Sequence, residues 1–132
     1  REFYHSDAVL HPVPDTYFER TADEALRSDV YAEIFLFECE NEAAGYGLIA
    51  KTYSQEAGGM VWWIEEVYVR EAFRSKGIGR EFFAYLDKVK GSAVTRMRLE
   101  VEEDNTRAVA LYKKLGYKPL EYAQMIKDAP LK

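Results

Sequence analysis

Residues 64–80 read Ile64-Glu65-Glu66-Val67-Tyr68-Val69-Arg70-Glu71-Ala72-Phe73-Arg74-Ser75-Lys76-Gly77-Ile78-Gly79-Arg80. The first six suit a strand, and the two glycines lead into a helix whose apolar residues Ile78, Phe82, Leu86 and Val89 recur at helical spacing. A strand that runs into Gly-x-Gly and then a helix gathers free backbone N–H groups and the positive end of a helix dipole at one point. Such a point holds phosphate oxygens. Three phosphate loops compete for the segment. The kinase-type G-x-x-x-x-G-K-[ST] is absent, because Gly77 and Gly79 stand too close and no Lys-Ser or Lys-Thr follows them. The dinucleotide fingerprint needs a small residue where Phe82 stands, although Glu100 lies at a suitable distance for a ribose contact. The third is Arg74-x-x-Gly77-x-Gly79 after a strand. The bland alternative is that the two glycines only cap a helix.

Outward from this segment, residues 30–40 read as a strand buried on both faces, with Phe35, Phe37 and Cys39 on one side and Ile34 and Leu36 on the other. A turn at 41–44 leads to a second strand at 45–54, and Gly58-Gly59 leads to a third at 60–70, an antiparallel meander. Ahead of it, Asp15 caps a helix with the stripe Phe18, Ala22, Ala25 and Leu26, ending near Ser28. Residues 1–6 read as the tail of a helix and 11–14 as an extended, proline-marked stretch. Downstream, a helix at 80–90 closes at Gly91 and a strand follows at 94–102. Asp104-Asn105-Thr106 offers caps for a helix carrying Ala108, Leu111, Tyr112 and Leu115, and 117–126 reads as a last strand. This order predicts an α/β fold: one domain over 1–132, with a mixed, mostly antiparallel central sheet flanked by helices.

The 132 residues are 48% apolar and 31% charged, enough for a sizeable core in one domain. A net charge of -5 disfavours nucleic acid and suits a cationic small partner. No apolar run is long enough to span a membrane and no signal-peptide pattern opens the chain. One cysteine, Cys39, and two histidines, His5 and His11, build neither a disulfide framework nor a structural zinc site. The expectation is a cytoplasmic protein without a metal, with Cys39 inert in the core and the histidines at the surface.

Two segments carry a resemblance. Arg74-x-x-Gly77-x-Gly79 after the strand Glu65-Glu66-Val67-Tyr68-Val69 resembles the [RQ]-x-x-G-x-[GA] loop of the GNAT superfamily of acyl-CoA-dependent N-acyltransferases. The strand itself looks like that of polyamine and other small-amine acetyltransferases. Asn105-Thr106-Arg107-Ala108-Val109-Ala110-Leu111-Tyr112-Lys113-Lys114-Leu115-Gly116-Tyr117 is similar to the second family motif, N-x-x-A-x-x-L-Y-x-x-x-G-[FY]. The resemblance implies a GNAT fold and an acetyl-CoA-dependent N-acetyltransferase that moves an acetyl group to the primary amine of a small cationic acceptor by direct transfer in a ternary complex. It leaves open a homodimer and, as the alternative, a non-catalytic acyl-CoA-binding sensor. The strand that usually leads into the first helix is missing from this chain, which points to an N-terminal truncation.

It also implies roles. The backbone of Arg74, Ser75, Lys76, Gly77, Ile78, Gly79 and Arg80 would cradle the pyrophosphate of coenzyme A, and Val67, Tyr68 and Val69 would bond its pantetheine arm as an added strand does. Asn105 would bond the same arm, and Tyr112 would protonate the leaving thiolate. A primary amine with pKa near ~10.4 is protonated at neutral pH, so a base is needed. Strand alternation predicts Glu65 on one face with Trp63 and Val67, and Glu66 on the opposite face with Ile64 and Tyr68. The resemblance favours Glu65 as base or acceptor ligand, with Glu66 the second candidate. Trp62 and Trp63 fall on opposite faces, one toward the core and the other toward the acceptor, whose wall Tyr4, Tyr17 and Phe18 would join.

Overall fold

The meander forms where the alternating apolar residues put it. In the computed structural model, which describes residues 15–130, strands β1 (Ala32–Cys39), β2 (Glu42–Ser54) and β3 (Gly59–Val69) pair antiparallel in sequence order. Glu40 and Asn41 join β1 to β2, both in the left-handed region (φ 54° and 66°) that a two-residue hairpin turn of matching twist requires. Helix α1 (Asp15–Arg27) precedes the meander. After β3, a 3-10 turn at Glu71–Phe73 and helix α2 (Ile78–Val89) carry the chain to β4 (Val94–Leu99), which pairs parallel with β3. The sheet order is β1-β2-β3-β4. The predicted α/β arrangement, a mixed and mostly antiparallel sheet flanked by helices, is the one observed. The helix expected at 1–6, the stretch at 11–14, His5, His11, Tyr4 and the missing leading strand fall outside the described residues.

Two compact units divide the chain, one ending at Glu100 and one starting at Val101. In the first, Phe82, Phe83 and Leu86 of α2 are buried together with Phe37, Ile49, Val61, Trp62, Ile64 and Val94 of the sheet. The Phe82 ring sits 5.5 Å from Phe35 and 5.0 Å from Phe37. A Cβ at position 47 would lie 2.4 Å from that ring, so only glycine lets helix and sheet approach this closely. Trp62 is buried while Trp63, on the other face, lies under the Arg98 guanidinium at 3.9 Å.

In the first unit three expectations are corrected. β1 is not buried on both faces: Phe37 is covered, but Leu36 is 79% exposed. Leu26 does not extend the buried stripe of α1, being 87% exposed, and the half-buried side of that helix includes Tyr17 and Thr21; the side chain of Phe18 is outside the described residues. The third correction lies in β3. Leu48 pairs with Glu66 but Ile49 pairs with Ile64, so Glu65 is the extra residue of a β-bulge. Alternation breaks there, and Glu66 falls on the face of Trp63 and Tyr68, while Ile64 falls on that of Val67.

In the second unit, Asn105 caps α3 (Thr106–Lys114), its Oδ1 accepting from the Ala108 N–H at 3.2 Å. The expected strand at 117–126 does not form, and residues 117–130 hold no helix or strand. β-branched and aromatic residues favour a strand only when a pleated partner surface receives them; here Tyr122, Met125 and Ile126 stay exposed.

Candidate active site

The bulge decides the first half of the site. Because Glu65 is inserted between the regular pairs, Glu65 and Glu66 both line one cleft of about 320 Å³, with Tyr17, Thr21, Ala32, Leu48, Ile49 and Ala50. The expectation that one acid points to each side of the sheet is therefore wrong: strict alternation fails where two residues face one. Glu65 opens to the cleft, yet the protein around it strips away enough water to push its carboxyl above the usual carboxylate range, and the charges of Glu100 and Glu66 push it the same way. Glu66 accepts a hydrogen bond from Tyr46 Oη at 3.1 Å. The Thr21 hydroxyl donates to the Tyr17 carbonyl at 3.0 Å.

The second half is the end of β3 and the loop after it. The β3–β4 ladder stops at Ile64 and Leu99, while β3 runs on through Val67 and Tyr68 to Val69. Arg74 donates from Nε to the Val69 carbonyl at 2.8 Å and stands 5.9 Å from the Tyr68 ring, so this guanidinium braces the strand end. Ser75 (φ 67°) and Gly77 (φ 79°) both take left-handed backbone. That curls the chain onto the start of α2, where Gly77 is the N-cap and no side chain caps the helix. Lys76 sits 5.6 Å from the Phe73 ring. Cβ atoms built at Gly77 or Gly79 would meet no atom within 4 Å. The protein leaves this cradle open, and the helix end supplies N–H groups and positive potential to it.

In the second unit, Asn105 and Tyr112 stand two turns apart on α3. Burial pushes the Tyr112 phenol up, which keeps it protonated at neutral pH, and its ring lies 6.1 Å from Tyr117. Cys39 is half-buried and free. Among the described residues there is no group of three or more metal-ligating side chains and no helix long and apolar enough to cross a membrane.

The model of the Acetyltransferase (GNAT) family matches residues 2–117. This chain belongs to that family. It is 32% identical over 134 residues to the thialysine N-epsilon-acetyltransferase of Mus musculus, covering 91% of this chain and 75% of the relative. In fold it is similar to a possible acetyltransferase from Clostridium difficile 630, with a TM-score of 0.78 and 21% identity over 92% of this chain and 81% of that one. It is also similar in fold to an aminoglycoside N-acetyltransferase in complex with CoA, with a TM-score of 0.70 and 18% identity over 87% and 78% of the two chains. The GNAT protein is thus an N-acetyltransferase, and acetyl-CoA is its cofactor. The cradle fits that group: a pyrophosphate needs open space over bare N–H groups at a helix start, which Gly77 and Gly79 leave.

Nothing in the sequence marks Thr21 or Tyr46 for the cleft, and Glu100 stands out there only by its distance from the glycine loop. Counting pairs back from the Ser54–Gly59 turn would set Tyr46 opposite Val67. The bulge moves it opposite Tyr68, onto the face of Glu66.

Proposed function

We propose that this GNAT protein transfers the acetyl group of acetyl-CoA directly to the primary amine of a small cationic acceptor within a ternary complex, as a single acyltransferase domain. The observation that carries the reading is the bulge that sets Glu65 and Glu66 on one cleft, where desolvation and the charges of Glu100 and Glu66 raise the Glu65 carboxyl. The family match runs from 2 to 117 and so spans both units, which supports reading them as one domain. A relative named for acetylating thialysine, an amino acid with a side-chain amine, supports the acceptor class.

Acetyl-CoA, when bound, supplies an acetyl thioester. Residues 74–80 would hold its pyrophosphate on the N–H groups at the start of α2, and Val67, Tyr68 and Val69 would hold the pantetheine arm at the end of β3. An N–H of that strand end would serve as the donor to the thioester carbonyl. Asn105, whose Oδ1 already caps α3, offers its Nδ2 to the arm. Glu65 takes the proton from the acceptor ammonium, the step that makes the nitrogen a nucleophile. Tyr112 would supply its phenolic proton to the leaving thiolate, the role that its place in the family motif implies.

The test is thiol release from acetyl-CoA with a panel of alkylamines and amino acids bearing side-chain amines. Amine-dependent release is expected, and in Glu65→Gln it should fall by about 10²-fold at neutral pH and by much less at high pH, where solvent has already removed the proton. Coenzyme A binding without release for any amine would make the protein an acyl-CoA sensor. A loss equal at all pH values would make Glu65 an acceptor ligand and not the base.

A further inference from the structure

Two carboxylates side by side on one wall are not equivalent. Each charge raises the cost of the other, and the surroundings decide which keeps its charge. Glu65 is the bulge residue, and among the described residues no side chain donates a hydrogen bond to it. Glu66 lies in the regular ladder opposite Leu48 and accepts from Tyr46 Oη at 3.1 Å. Tyr46 pairs with Tyr68, so it sits diagonally from Glu66 on the same face, where long side chains meet. Its ring lies 6.1 Å from that of Tyr68, which in turn has the Arg74 guanidinium 5.9 Å from its centroid. The phenol thus reaches Glu66 from a ring that is itself packed, and a hydrogen bond to a carboxylate from a fixed donor restricts its orientation.

We propose that Tyr46 is a positioning residue for the acceptor: its hydrogen bond holds the Glu66 carboxylate in one orientation, where it meets a second cationic group of the acceptor while Glu65 attends to the reacting amine. The proposal rests on the reading of this cleft as the acceptor site. It assigns a specificity, for acceptors with two cationic groups on a short chain over those with one. An oriented carboxylate discriminates by where the second charge falls, whereas a mobile one attracts any cation weakly.

The experiment compares α,ω-diaminoalkanes of three to five carbons with n-alkylamines of the same length, in the wild type and in Tyr46→Phe, Glu66→Gln, Glu65→Gln and the Tyr46→Phe/Glu66→Gln pair. A coenzyme A titration reports that each variant is folded and loaded. Tyr46→Phe should raise KM for the diamines about tenfold relative to the monoamines, the scale of losing one hydrogen bond to a charged group, with the change falling in KM more than in kcat. Once Glu66 is Gln, removing the phenol should add nothing. An unchanged KM ratio in Tyr46→Phe, or losses that multiply in the pair, overturns the proposal. If Glu65→Gln slows turnover while both Tyr46→Phe and Glu66→Gln are silent, the acceptor site stands and the role of Tyr46 falls. If neither glutamate variant alters acceptor kinetics, the cleft is not the acceptor site and both readings fall.

Discussion

At position 65 the chain holds a carboxyl that folding makes harder to ionise, which is costly to the fold and useful for proton uptake. The sign follows from linkage. A carboxyl whose folded pKa lies above its unfolded one loses stability as pH rises through that interval, and the penalty is full above the folded pKa. Glu65→Gln should therefore melt higher than the wild type at neutral pH, and the gain should vanish at about pH 3, where both chains carry a neutral side chain. A thermal scan across pH checks this; a melting temperature lowered at neutral pH would show that the ionised Glu65 stabilises the fold. Burial raises the Tyr112 phenol, so the proton it would donate stays on at neutral pH. Tyr112→Phe should keep coenzyme A affinity by calorimetry and slow turnover by about 10²–10³-fold. A change of less than twofold would assign the ring to packing, beside Tyr117. Both residue types stood in the sequence at motif spacing, so the candidates were legible. The like charge of Glu66 was legible too, since it is the next residue, but the burial of both groups and the charge of Glu100 were not, since they come from chain distant in sequence.

At the scale of elements, the strand, loop and helix of 64–80 were readable because each rests on local chemistry: β-branched and aromatic residues, a polar turn, glycines before a 3.6-residue stripe. The bulge was not, since a register slip depends on what β2 presents to β3, and Glu65-Glu66 carries no mark of it. The absent strand at 117–126 fails for the related reason that pairing needs a partner. The loop yields a clean test at Gly79. No protein atom lies within 4 Å of a Cβ there, so Gly79→Val should leave the circular dichroism spectrum unchanged while filling the space over the helix start. Coenzyme A affinity should drop more than about tenfold, as expected when a close backbone approach is blocked. Undiminished affinity would move the pyrophosphate elsewhere.

For the whole molecule, the net charge of -5 and the acids of the cleft favour encounter with cations over a screening length of about 10 Å at 0.1 M salt and about 3 Å at 1 M. The KM of a diamine acceptor should rise severalfold between those salt concentrations, while an uncharged amine analogue should move little; a flat profile would show that contact geometry alone recruits the acceptor. Family, cofactor and the order of elements from α1 through α3 were determined by the sequence by itself, because the glycine loop, the Asn105–Tyr112 spacing and the apolar periodicities are written in neighbouring residues. Only the tertiary structure decided that Glu65 and Glu66 share a cleft and that Tyr46 reaches one of them. A side chain's face is set by cross-strand register, and a single bulge resets that register for every residue beyond it.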